Sequence, residues 1–225
     1  MPTLDEISYS RDEAVATIRN YYRFLTKMYL KESDVIEPPQ GGWPNLRANL
    51  QSFEKSDEVI SLLRHLPYIR RPSDDRDRKI SDWAAKGRMA GEDFKMLSED
   101  FSIREDVPPH VVGLTFGGRN NPIFLLDTEL GVRAEGQYWA IPDFFGVLED
   151  QFRELKFIPT SSRTVMDVYT TPGPYSDGMI PMLRDIYREH GWPDLERYRK
   201  RECLEAVQMA LEERYPDYAH RRDDE

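Results

Sequence analysis

His110-Val111-Val112-Gly113-Leu114-Thr115-Phe116, Ile123-Phe124-Leu125-Leu126 and Val132-Arg133-Ala134-Glu135-Gly136-Gln137-Tyr138-Trp139 follow one another inside the stretch Val107 to Phe157, and their reading decides the fold. The first segment is β-branched and aromatic, with Val112, Leu114 and Phe116 on one face. Gly117 to Pro122 reads as a turn, because glycine tolerates positive φ and proline fixes φ. The second segment is apolar at both parities, as a central strand covered on both faces must be. Asp127-Thr128-Glu129-Leu130-Gly131 then reverses the chain, with Gly131 free to adopt a left-handed conformation. The third segment alternates along its length. Read as one strand, it puts Val132, Ala134 and Tyr138 on one face and Arg133, Glu135, Gln137 and Trp139 on the wetter one.

A helix follows directly. Pro142 pre-sets φ for a first helical turn, and Asp143 suits the positive end of the helix dipole. Phe145, Leu148, Phe152 and Leu155 recur at spacings of three and four, so the stripe is expected to lie on the sheet, with Pro159 ending the run.

Helical patterns flank this cassette. Ser10-Arg11-Asp12-Glu13 is a capping box opening a long helix with Val15, Ile18, Tyr22, Leu25 and Tyr29 on one stripe. Asn45 suits the cap of a short helix. Ser56 suits the cap of another that carries Val59, Ile60, Leu62, Leu63 and Leu66, with Pro67 at its end. Between the first helix and these, Asp34 to Pro44 reads as a rigid, non-repetitive loop; its Pro38-Pro39 pair suits a proline-reading partner, but without a Pro-x-x-Pro arrangement the favoured reading is an ordered connector. Arg70 to Lys79 is mixed in sign and free of apolar residues; it reads as a solvated loop or as a docking segment with Ser73 as a phosphosite. Short helices are expected at Ser81–Lys86 and Glu92–Leu97. Thr170 to Gly178 is a Pro- and Gly-rich break. Beyond it come a helix from about Pro181 to Glu189, a Gly191-Trp192-Pro193 interruption, and a helix from Asp194 to about Arg214 with Leu204, Val207 and Leu211 as its stripe. The expected architecture is α+β, with a central antiparallel sheet packed by helices and helical segments at both ends. The expected division is 1–170 for the α+β domain and 171–225 for a helical C-terminal extension packed on it.

With 39% hydrophobic residues and 12% aromatic residues, 225 residues suffice for a sizeable core. The net charge of −10 and a pI near 5.0 argue against general nucleic-acid or anionic-membrane binding, which need a positive surface. No apolar run approaches the roughly 20 residues that span a bilayer. Met1 to Asn20 carries acids and has no apolar centre, unlike a secretory signal. A cytoplasmic location is the expectation. The single cysteine, Cys203, has no partner for an internal disulfide.

Catalytic and cofactor patterns are weak. The histidines His65, His110, His190 and His220 form no His-Glu-x-x-His pattern, and one cysteine builds no zinc knuckle. We therefore expect no metal and no cofactor. His65 and His190 fall where helices end and suit capping roles. Cys203, among Leu204, Val207 and Ala210, reads as a buried, unreactive thiol. Carboxylates are abundant, and a pair such as Asp127 with Glu129 has the chemistry for acid–base work; in a tight turn, Asp ordinarily bonds its own backbone. Gly117-Gly118 lacks the frame of a phosphate-binding loop.

The order of elements resembles the SUKH superfamily, which includes fungal regulators of cell-wall glucan synthesis and bacterial toxin-immunity proteins. The residues carrying this likeness are the strand and Gly-Gly turn, Ile123 to Asp127, Gly131-Val132 and the Phe144-Phe145 helix, within Asp12 to Phe157. The superfamily's Leu-Pro and Asn-Gly-Gly features are represented only by Leu66-Pro67 and Gly117-Gly118. Tyr21 to Leu25, Pro38 to Pro44 and His190 to Pro193 resemble an uncharacterised group of filamentous-fungal proteins. The resemblance implies an α+β fold without catalytic residues that acts by binding other proteins.

Two functions follow. The first is a non-catalytic protein-binding module or adaptor linked to growth or cell-wall regulation, with Trp139, Arg133, Asp127, Glu129, Arg71 and Arg76 as its candidate binding residues. The alternative is a small-molecule enzyme with a dispersed site grouped by the meander: His110, Asp127, Glu129 and Tyr138.

Overall fold

The computed structural model describes residues 9–44, 54–70, 107–114, 124–134, 137–169 and 177–219. Expectations for Asn45 to Phe53, Arg71 to Leu97, Gly117 to Pro122, Thr170 to Ser176 and the tail from His220 lie outside the described residues. The fold is α+β, with a central antiparallel sheet. The chain divides into two compact units, Met1–Asn20 with Ser33–Phe145 and Tyr21–Glu32 with Gly146–Glu225. The compositional break at Thr170 to Gly178 thus falls inside the second unit.

Helix α1, Arg11–Met28, opens as its capping box requires, with the Glu13 amide donating to Ser10 Oγ at 3.4 Å. Its stripe of Val15, Ile18, Tyr22, Leu25 and Tyr29 is buried throughout. Helix α2, Asp57–His65, is capped by Ser56, whose side chain accepts from the Val59 amide; Val59, Ile60, Leu62 and Leu63 are buried. Strands β1, Val35–Ile36, and β2, Tyr68–Ile69, pair antiparallel. The Pro38–Pro44 connector is tied to the end of α2. Trp43 donates its amide to the Arg64 carbonyl at 2.9 Å and its indole Nε1 to the Leu66 carbonyl at 3.0 Å. Gly42 (φ +84°) must be glycine here, since a Cβ would lie 2.6 Å from the Arg64 carbonyl oxygen.

The central sheet runs β3 (Val111–Gly113), β4 (Leu125–Asp127), β5 (Gly131–Ala134) and β6 (Gln137–Trp139), in sequence order and antiparallel throughout. Leu125 and Leu126 are both buried, as a central strand covered on two sides demands. One expectation is corrected. The alternating segment Val132 to Trp139 is two strands, paired Ala134↔Gln137, Arg133↔Tyr138 and Val132↔Trp139. Opposite residues of an antiparallel pair share a face, so Trp139 joins the row of Val112, Leu126 and Val132, all with no exposure. A two-residue connection reverses the parity that a continuous strand would have kept.

Helix α3, Ile141–Arg153, starts with Pro142 and Asp143 in its first turn. In the first unit, Phe144 meets Phe124 edge-on at 4.8 Å and Phe145 at 5.5 Å. The rest of its stripe is used differently from the expectation of one band on the sheet. Phe152 stacks on Tyr29 at 5.8 Å and meets Phe24 and Phe157 at their edges, within the second unit. Strands β7, Phe157–Pro159, and β8, Val165–Asp167, form a hairpin that the sequence did not announce. Ser161 Oγ closes its turn by accepting from the amides of Arg163 and Thr164.

Helix α4 covers Met179–Glu189 and helix α5 Lys200–Arg214. The last helix therefore starts six residues later than expected, because Gly191 to Tyr198 is taken up by turns closed on Gly191 and Asp194. Its buried stripe is Cys203, Val207 and Leu211, with Leu204 half-buried. The segment from Arg184 to Lys200 supplies donors to two helix ends. Trp192 Nε1 donates to the Phe152 and Arg153 carbonyls, and Arg184 Nε to that of Leu155. Tyr198 donates to the Met28 carbonyl, while Lys200 Nζ donates to those of Thr26 and Leu30 at 2.8 and 2.7 Å. The last carbonyls of α1 and α3 have no partners inside their own helices, so these bonds satisfy groups that burial would otherwise leave costly. Burial raises the phenol pKa of Tyr21, Tyr22, Tyr29 and Tyr198 above the ordinary value, since a phenolate would lose its hydration there.

Among the described residues, no helix is long and apolar enough to cross a membrane.

Candidate functional site

Three of the candidate residues, His110, Asp127 and Glu129, meet at one corner of the central sheet, where β4 turns into β5 beside the start of β3. Asp127 is the last residue of β4 and is buried. Its Oδ1 accepts from the amides of Glu129 at 2.8 Å and Leu130 at 3.0 Å, the bonding pattern of an Asx turn. A buried carboxylate is tolerable where charge-assisted hydrogen bonds replace lost water, and these two amides do that. Gly131 then takes φ +92° and opens β5. Thr128 ties the turn sideways, its amide and its hydroxyl each donating to the His110 carbonyl at 3.0 Å.

His110 lies between the two acids. Its Nε2 is 3.9 Å from Asp127 Oδ2 and 3.9 Å from Glu129 Oε2. General acid–base transfer needs heavy atoms about 2.6–3.2 Å apart, so no proton is shared across either gap as they stand. At 3.9 Å a protonated imidazole attracts both carboxylates through space, more strongly the buried Asp127 than Glu129, whose side chain is 68% exposed. The approach to His110 is pinned from the α2 side. Ser56 donates its amide to the Pro109 carbonyl, and Lys55 Nζ donates to those of Val107 and Pro108.

The other candidates are placed apart from this trio. Tyr138 is on β6, two strands from Asp127 and in a different row of the ladder, so it does not complete a four-residue group. Arg133 lies on β5 opposite Leu125 and Tyr138. Trp139 is half-buried on β6, the terminal strand in the sheet order. Arg71 and Arg76 lie outside the described residues, as does Ser73.

His65 and His190 serve helix ends, as their positions suggested: the Nδ1 of each is 2.7 Å from the carbonyl oxygen four residues earlier, Ser61 and Ile186. Cys203 is buried, and that burial pushes its thiol pKa up to about 11. It is protonated near neutrality and a poor nucleophile. Among the described residues, no group of three or more His, Cys, Asp or Glu side chains is arranged to hold a metal ion.

Sequence reasoning missed the way Thr128 locks the β3 and β4 ends together. A threonine in a reverse turn carries no signal of a carbonyl partner eighteen positions earlier.

A scan against protein-family models, a search of curated proteins and a search of solved structures each found no match.

Proposed function

We propose that this chain is a non-catalytic protein-binding module or adaptor of SUKH-like character, working in the cytosol in growth or cell-wall regulation. The observation that carries the reading is Trp139, half-buried on the terminal strand β6, with Tyr138 half-buried on the opposite face of that strand. Tyr and Trp dominate the energetic centres of protein interfaces, since each brings a large rigid surface and a polar tip at low entropic cost. The Asp127 corner supports the same reading, because its carboxylate holds a turn that sets the β4–β5 geometry.

The test uses the full-length chain as bait in native lysate, followed by titration of the purified retained protein. Trp139→Ala should weaken binding by about 2 kcal/mol, roughly thirtyfold in Kd, while thermal melting reports an intact fold. Deletion of Arg71–Lys79 should weaken it as well. Retention of no protein under several growth conditions, or equal affinity for all variants, overturns the reading.

One observation favours the enzyme alternative: His110 Nε2 stands equally far from Asp127 and Glu129. If a substrate draws these groups together, a panel of activated esters, phosphate esters and glycosides should reveal turnover that His110→Gln removes. No turnover on the panel, or turnover that survives His110→Gln, counts against it.

A further inference from the structure

We draw no further inference here: the strongest candidate, the side-chain cluster of His110, Asp127 and Glu129 where β3 begins and β4 turns into β5, belongs to the site already described, and nothing among the described residues points to a ligand on it.

Discussion

The β4–β5 corner and the Arg184–Lys200 segment both consist of polar side chains bonding backbone, but over very different distances along the chain. At the corner, Asp127 bonds amides two and three residues ahead. In the other segment, Trp192 reaches a carbonyl 40 positions back, and Tyr198 and Lys200 reach 170 and 174 positions back. The first arrangement shapes a turn by itself. The second exists only when distant parts of the second unit have come together, and it then stabilises two helix ends at once. An ammonium on the last carbonyls of α1 also faces the negative end of that helix's dipole.

The end of α3 shows why such help matters. Leu155 has φ +54°, a left-handed conformation that usually falls to glycine just past a helix. For leucine this costs on the order of 1–2 kcal/mol. Its side chain is 3% exposed, and burying a leucine contributes about 1.5–3 kcal/mol. The apolar contact offsets the backbone cost, and the donors from Arg184 and Trp192 fix the exit geometry.

Substitutions can break or sharpen this contrast. The largest effect is expected at Phe152→Ala, which removes a ring in contact with Phe24, Tyr29 and Phe157. Urea denaturation should show a loss of about 3–5 kcal/mol, whereas a loss below about 1 kcal/mol would mean that the cluster does not hold the second unit.

Next is Cys203. Because its folded pKa is raised from 9.0 to about 11, the folded state keeps a proton that the unfolded chain releases. The contribution is complete below pH 9 and is lost as pH rises to about 11, amounting to about 3 kcal/mol. Stability curves over that window should be steeper for the wild type than for Cys203→Ala. Parallel curves would contradict the burial argument.

Lys200→Met should cost about 2 kcal/mol, the scale of losing hydrogen bonds from a charged donor to carbonyls that stay buried. Tyr198→Phe should cost about 1 kcal/mol, and the pair should be non-additive because both serve one helix end. At the corner, Asp127→Ala should cost about 1–2 kcal/mol by chemical denaturation, and Asp127→Asn less than half of that, since the amide oxygen still accepts from Glu129 and Leu130. Equal losses for the two would show that the charge, not the turn, is what the corner needs. Ser56→Ala should cost about 1 kcal/mol from the lost cap of α2, read as a shift in the denaturation midpoint.

Local chemistry was legible in the residues themselves. Ser10 and Ser56 cap helices, Asp127 shapes a turn, Gly131 turns left-handed, His65 and His190 meet helix-end carbonyls, and Cys203 is buried. Each depends on neighbours within about four positions or on a helical stripe. The hairpin of β5 and β6 was not legible, because eight alternating residues fit one strand as well as two, and only pairing decides between them. That choice moved Trp139 onto the face of Val132. The β7–β8 hairpin escaped for a similar reason, its strands being three residues each, too short to establish a period.

For the candidate site, the sequence proposed His110, Asp127, Glu129 and Tyr138 as one group; the ladder brought the first three together and placed Tyr138 elsewhere. By itself the sequence determined the α+β class, the caps and the turns, because these rest on short-range sterics and on hydrogen bonds that a residue makes with its own stretch of backbone. Tertiary structure alone decided which strand faces which, how α3 divides its phenylalanines, and which donors satisfy the ends of α1 and α3. Those outcomes depend on long-range closure, where many registers offer similar local energy and only the fully packed arrangement separates them.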